Sequence, residues 1–198
     1  MEKVVYSDIP KLFKISDLTV LESVLRPLLE KPGQLIELSN WSKELGISRQ
    51  TLSLYLKYLE DSSIVKKLYN FSKSGRKTER RLKKHYHAVV SEDLLFRQDD
   101  ISSFHAFEWI VVRLLNVDFF WRYPYKNGVD AVAVDGDKIS AFEVKYGKID
   151  TTRLITFMQY FKTNPGTIIS KEAQKSMKAD GKNVEVTPAY RFFAMAVD

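Results

Sequence analysis

Val129-Asp130-Ala131-Val132-Ala133-Val134, then Asp135-Gly136, then Lys138 through Lys145 is the stretch on which the reading of the second half turns. Two runs with β character flank an Asp-Gly pair, a strong hairpin signal. With Asp135-Gly136 as a two-residue loop, Val134 faces Asp137 and Asp130 lies opposite Ala141, one same-face step from Glu143. Side chains two apart on a strand share a face, so Asp130, Glu143 and Lys145 point the same way. A three-residue loop would turn Asp130 to the other face. Two carboxylates and a lysine on one sheet face are suited to a divalent cation with a catalytic ammonium beside it. Hard oxygen donors favour Mg²⁺, with Mn²⁺ as a substitute. Such a site supplies the activated water and charge neutralisation that phosphodiester cleavage needs, and Lys145 could orient the water or stabilise developing charge. Surface ion pairs on hairpins have the same spacing, so the pattern alone leaves both readings open.

The flanking elements suggest a sheet with helices packed on it. Ser102-Ser103 can cap a helix from Phe104 to about Asn116, with Phe107, Ile110, Val111 and Leu114 toward a core. Glu108 sits among these apolar positions, where a carboxylate needs a partner or a metal unless it lies at the solvent edge. Asp118 to Tyr123 reads as a strand preceding the hairpin. After the hairpin, Thr151 or Thr152 opens a helix through Leu154, Ile155, Met158 and Phe161. Thr167 to Ser170 reads as a strand, and Lys171 to about Lys178 as a polar helix. The order of helices and strands predicts a mixed sheet.

The first half is organised differently. A helical pattern through Leu18, Leu21, Leu25 and Leu28-Leu29 stops at Lys31-Pro32-Gly33. Leu35 to Leu68 then reads as helix-turn-helix. Ser39 is expected to cap the first helix, Gly46 to supply the turn and Ser48 to cap the second, along which Leu52, Leu54, Tyr55 and Leu59 recur. Arg49, Gln50, Thr51 and Ser53 at the start of that second helix are the hydrogen-bonding side chains a base-reading helix needs. An ordinary helical hairpin with a polar outer face is the competing reading. Ile64 to Phe71 and His85 to Val90 have β character about the turn-like Ser72-Lys73-Ser74-Gly75, which suggests a wing.

Charge supports a polyanion partner. The 198 residues carry a net charge of +6, all of it in residues 1–97, while residues 98–198 balance to zero. Residues 66–84 hold nine basic residues against Glu79 alone. Of these, Lys73, Arg76, Lys77, Arg80, Arg81, Lys83 and Lys84 are expected to meet DNA phosphates. A solvated charge run is the alternative. The change of charge balance near Arg97-Gln98-Asp99-Asp100 suggests two domains, 1–97 and 98–198.

Composition narrows the field further. Hydrophobic residues make up 44% and charged residues 28%, a globular balance. Without cysteine there is no disulfide, thiol nucleophile or Cys-ligated metal. No apolar run is long enough to span a membrane, and Met1 to Tyr6 lacks a signal-peptide core, so a soluble, cytoplasmic protein is expected. Gly75-Arg76-Lys77-Thr78 lacks the upstream glycine of a phosphate-binding loop. His85 and His87 share a strand face without an evident third ligand. No Gly-x-Ser-x-Gly elbow occurs.

The helix-turn-helix followed by Lys83-Lys84-His85-Tyr86, then Phe107-Glu108, Trp121-Arg122, Gly128-Val129-Asp130 and Glu143-Val144-Lys145, resembles the C-terminal region of a group of prokaryotic AAA+-type ATPases. Ser7-Asp8-Ile9 to Ile15 resembles the stretch before the winged helix there. The resemblance covers almost the full chain but lacks the ATPase domain. It implies an α/β (α+β) chain: a winged helix-turn-helix domain followed by a restriction-endonuclease-like, PD-(D/E)XK mixed-sheet domain. Asp130, Glu143 and Lys145 match the nuclease signature, Glu108 the glutamate of the first helix, and Gln159 and Tyr160 the place of a polar helper. The implied function is DNA binding with Mg²⁺-dependent phosphodiester cleavage. The alternative is a non-catalytic DNA-binding or regulatory module with a vestigial site. The resemblance leaves room for a homodimer and for an ATPase supplied by another chain.

Overall fold

The computed structural model describes residues 3–15, 17–80, 82–89, 94, 96–97, 99–123 and 128–195. It divides into two units, Met1–Lys67 with Leu82–His105, and Leu68–Arg81 with Ala106–Asp198. The charge-based boundary near residue 97 is thus displaced to 105, and the basic stretch after β2 belongs with the second unit. Arg81 lies outside the described residues, as does the Arg80 side chain.

In the first unit, a helical turn at Val4–Asp8 runs into α1 (Ile9–Phe13), followed by α2 (Leu18–Glu30). Asp17 caps α2 by accepting the Thr19 N–H at 2.9 Å. The helix stops at Lys31, before Pro32-Gly33, as the sequence leads one to expect. β1 (Gln34–Ile36) leads to α3 (Leu38–Glu44) and α4 (Arg49–Asp61). Glu37, not Ser39, caps α3: its two carboxylate oxygens accept the N–H groups of Ser39 and Asn40 at 3.1 and 2.7 Å. Gly46 takes φ +67° in the turn, a conformation that costs glycine least. Ser48 Oγ accepts the Thr51 N–H at 3.0 Å and starts α4.

Leu52, Leu56 and Leu59 recur at helical spacing and bury one face of α4 against Leu21, Val24 and Leu28 of α2 and Ile9 of α1. That burial orients Arg49, Gln50 and Ser53 outward. β2 (Val65–Asn70) follows, and β3 (Lys83–His87) pairs antiparallel with β1, Leu35 opposite Lys84.

Between β2 and β3 the basic stretch is not simply a loop. Gly75–Arg80 forms a short helix, α5. The Ser74 carbonyl accepts the N–H groups of Lys77 and Thr78 at 3.0 and 3.1 Å. The Thr78 hydroxyl donates to the Ser72 and Ser74 carbonyls.

The second unit carries a mixed sheet. Its strands are β4 (Phe119–Arg122), β5 (Gly128–Asp135), β6 (Lys138–Lys145), β7 (Gly166–Ser170), β8 (Lys175–Ala179) and β9 (Lys182–Pro188). The order is β2–β4–β5–β6–β7–β9–β8, with β2–β4, β6–β7 and β7–β9 parallel and the other pairs antiparallel. The helices are α6 (Asp100–Leu115), which begins in the first unit, α7 (Thr152–Phe161) and α8 (Ala189–Met195).

Two local expectations are corrected here. Asp99, rather than Ser102-Ser103, caps α6, accepting the Ser102 N–H and hydroxyl at 2.8 and 2.7 Å. Residues 175–179 are a strand of a hairpin, not part of a helix, because Asp180-Gly181, both at positive φ, turns the chain back onto β9.

The decisive hairpin also differs in detail. Asp135 pairs with Lys138 and Val134 with Ile139, so Gly136-Asp137 is the loop. One further ladder step sets Asp130 across from Glu143 instead of Ala141. The loop keeps two residues, so the same-face relation survives the slip.

Alternation assigns the faces. Phe142 and Val144 of β6 pack with Ile169 against Phe107 and Val111 of α6. Ala141, Val132 and Ile168 pack under Leu154, Ile155, Phe157, Met158 and Phe161 of α7. Glu143, between Phe142 and Val144 and paired with Ile168, belongs to the α7 face.

Candidate functional site

The carboxylates of the hairpin are held by its own backbone and by one lysine. The Val144 N–H donates to Asp130 Oδ2 at 2.9 Å, tying β5 to β6 through a side chain. Lys145 Nζ donates to Glu143 Oε1 at 2.8 Å, and Arg153 of α7 lies 4.0 Å from the same oxygen. Glu143 is 1% exposed, and among the described residues its other oxygen, Oε2, is buried without a hydrogen-bond partner. Burial and the Asp130 charge push its carboxyl up to about 8, against the pull of Lys145 and Arg153. Asp130 is half-buried. At neutral pH such a carboxyl holds a proton, and a cation that replaced the proton would gain a buried anionic oxygen.

Glu108, expected to join this pair, is 5% exposed on α6. Its neighbours Phe107 and Val111 pack on Val144 and Ile169, on the sheet face opposite Glu143. Among the described residues no three His, Asp or Glu side chains gather to hold a metal ion. The donors at hand are therefore Asp130 and Glu143. Two carboxylates suffice for Mg²⁺, which keeps several waters and takes substrate phosphate oxygens as further ligands. The orphaned Oε2 fits that donor role.

Two residues beside this site escaped the sequence reading. Arg153 reaches Glu143 from the first turn of α7. Asp150 accepts from the Thr152 hydroxyl and N–H, which lower its pKa, and the charges of Lys145 and Arg153 lower it further. The signal for both was their position just before and within the first turn of a helix that follows Lys145 closely.

The residues expected to bind nucleic acid separate into groups. Arg49, Gln50 and Ser53 line an open groove of about 840 Å³ on α4, with Leu38, Leu54 and Lys57. Thr51 does not join them: its N–H and hydroxyl both bond Ser48, within the cap. Lys73, Arg76 and Lys77 are exposed, and Lys83 and Lys84 are half-buried on β3. Lys84 Nζ donates to the Tyr86 hydroxyl at 3.4 Å. Lys67 is tied to Glu60 at 2.6 Å. The same glutamate faces the buried His85 at 3.6 Å, and burial lowers the His85 pKa. His87 Nδ1 meets the Val89 carbonyl, so these histidines serve the first unit's interior.

Among the described residues no helix is long and apolar enough to cross a membrane. No curated protein and no solved structure matches the chain. Residues 1–90 match the model of a family described as a domain of unknown function (DUF8612).

Proposed function

We propose that the chain is a DNA-binding protein whose second unit cleaves phosphodiester bonds with Mg²⁺. On this reading the first unit is a winged helix, the second a restriction-endonuclease-like domain, and the whole is similar to the C-terminal part of AAA+-type ATPases. The observation that carries it is the buried Glu143 carboxyl, one oxygen of which has no partner among the described residues, beside Asp130 and bonded by Lys145. An unsatisfied buried carboxylate oxygen is costly, and such groups concentrate where function demands them. When bound, Mg²⁺ would neutralise phosphate charge and lower the pKa of a water. Asp130 and Glu143 would hold it. Lys145, already on Glu143 Oε1, would supply a cation to the phosphate. The exposed Arg49, Gln50 and Ser53 supply donors and acceptors suited to base edges, and Lys73, Arg76 and Lys77 suit the backbone.

A second reading has its own support. Only two carboxylates gather at the hairpin among the described residues, and the Glu143–Lys145 pair is closed. A non-catalytic DNA-binding or regulatory module with a vestigial site would have these features. Incubating the purified chain with supercoiled DNA separates the two. Nicking that requires Mg²⁺ or Mn²⁺ and stops in Ca²⁺ supports the nuclease. Binding without nicking in any of the three assigns the module.

A further inference from the structure

A pocket of about 430 Å³ lies within the second unit, apart from the carboxylate pair. Its floor is aromatic: Phe71 at the end of β2, Trp121 of β4 and Phe161 of α7, all buried. Its rim is Tyr160, 58% exposed, with Lys73 and Lys77 beside it. The ring centroids of Tyr160 and Trp121 are 5.8 Å apart, and those of Tyr160 and Tyr123 are 5.5 Å apart. None of the described residues lining the pocket is acidic. The bonds about Ser74 and Thr78 that shape the α5 turn hold both lysines on an ordered backbone.

We propose that this pocket receives one unpaired nucleotide of a nucleic-acid strand, its base stacked on Tyr160 and its phosphate on Lys73 and Lys77. An exposed aromatic face with cations at its edge is the arrangement that holds single-stranded nucleic acid, because every base offers a π-face and every nucleotide a phosphate. The size suits a small ligand better than a protein surface. An acidic peptide is disfavoured, because β4 lies between β2 and β5 and offers no free strand edge to an added strand.

The pocket also deepens the nuclease reading, and in this one respect rests on it. Tyr160 and Arg153 are seven residues apart on α7, two turns along one face, or about 10 Å. Arg153 faces Glu143. A strand stacked at Tyr160 would therefore set a phosphate near the carboxylates within a few nucleotides. The substrate class this implies is DNA with an unpaired tail or branch.

The test uses the full chain in Ca²⁺, which separates binding from cleavage. A blunt duplex is compared with the same duplex bearing a short unpaired tail that carries a fluorescent adenine analogue. The tail should tighten binding about tenfold, and the analogue should be quenched on stacking. Tyr160→Ala should abolish both effects and spare blunt-duplex affinity, whereas Tyr160→Phe should retain both. Lys73→Ala with Lys77→Ala should flatten the salt dependence of the tail's contribution. Equal affinity for tailed and blunt duplexes, or a tail effect that survives Tyr160→Ala, overturns the proposal. Displacement of the tail by an acidic, tyrosine-containing peptide overturns it in favour of a protein partner. A tail effect in a chain that cleaves nothing in Mg²⁺ upholds the pocket and sinks only the nuclease reading.

Discussion

Lys145 Nζ sits 2.8 Å from Glu143 Oε1, two residues away on one strand, while the other oxygen of that carboxylate is buried and, among the described residues, has no hydrogen-bond partner. One ammonium thus serves half of a carboxylate. The other half keeps a lone-pair demand that a proton or a cation must meet.

Asp130→Asn together with Glu143→Gln should abolish Mg²⁺-dependent cleavage while leaving duplex affinity within about twofold, since the lysines and arginines proposed to contact phosphate lie elsewhere. Nicking assays and anisotropy on the same preparation measure both. Cleavage that persists in a highly purified double variant would come from another site or a contaminant.

Glu143 also predicts a pH dependence of stability. Its carboxyl titrates near 4.5 when unfolded and about 8 when folded. Between those values the folded chain holds a proton that the unfolded chain lacks. Stability therefore falls as pH rises through this window, by at most about 1.4 kcal/mol per pH unit. Glu143→Gln, an uncharged near-isostere, should flatten the decline. Urea melts at the two ends of the window measure it, and an unaltered slope in the variant would assign the titration to another group.

Binding to DNA should be strongly salt-dependent. Replacing Arg76, Lys77, Arg80 and Arg81 by alanine should weaken binding to all sequences and flatten the slope of log affinity against log salt by up to about four units. Replacing Arg49 and Gln50 should instead reduce discrimination between sequences. Anisotropy across a salt series distinguishes the two. An unchanged slope in the first variant would make the basic stretch a solvated surface.

Ser48→Ala should destabilise the first unit by about 1 kcal/mol, because the Thr51 N–H loses its acceptor at the start of α4. Ser48→Asp should retain most of the stability. Chemical denaturation followed by far-UV circular dichroism reads the difference, and equal midpoints for Ser48→Ala and the parent would show that water replaces the cap without cost.

Local chemistry made much of the chain legible in advance. Pro32-Gly33 ends α2, Gly46 and Ser48 separate and cap the paired helices, and the run from Lys138 to Lys145 is a strand with the predicted limits. These features depend on backbone freedom, capping and side-chain period, which neighbours in sequence decide. The shared face of Asp130 and Glu143 was legible for the same reason. A two-residue loop preserves parity, even though the loop proved to be Gly136-Asp137 and the partner of Asp130 moved by one step.

What the sequence could not decide depends on residues far apart in the chain. Lys175 to Ala179 is polar enough for an exposed helix and becomes a strand because β9, itself paired to β7, offers it an edge. Lys73 and Lys77 look like part of a wing, yet they line a pocket with Trp121 and Tyr160. Arg153 reaches Glu143 only because α7 packs across the sheet. Burial, which leaves Glu143 Oε2 without a partner and raises its pKa, is a property of the packed sheet and not of any peptide within it.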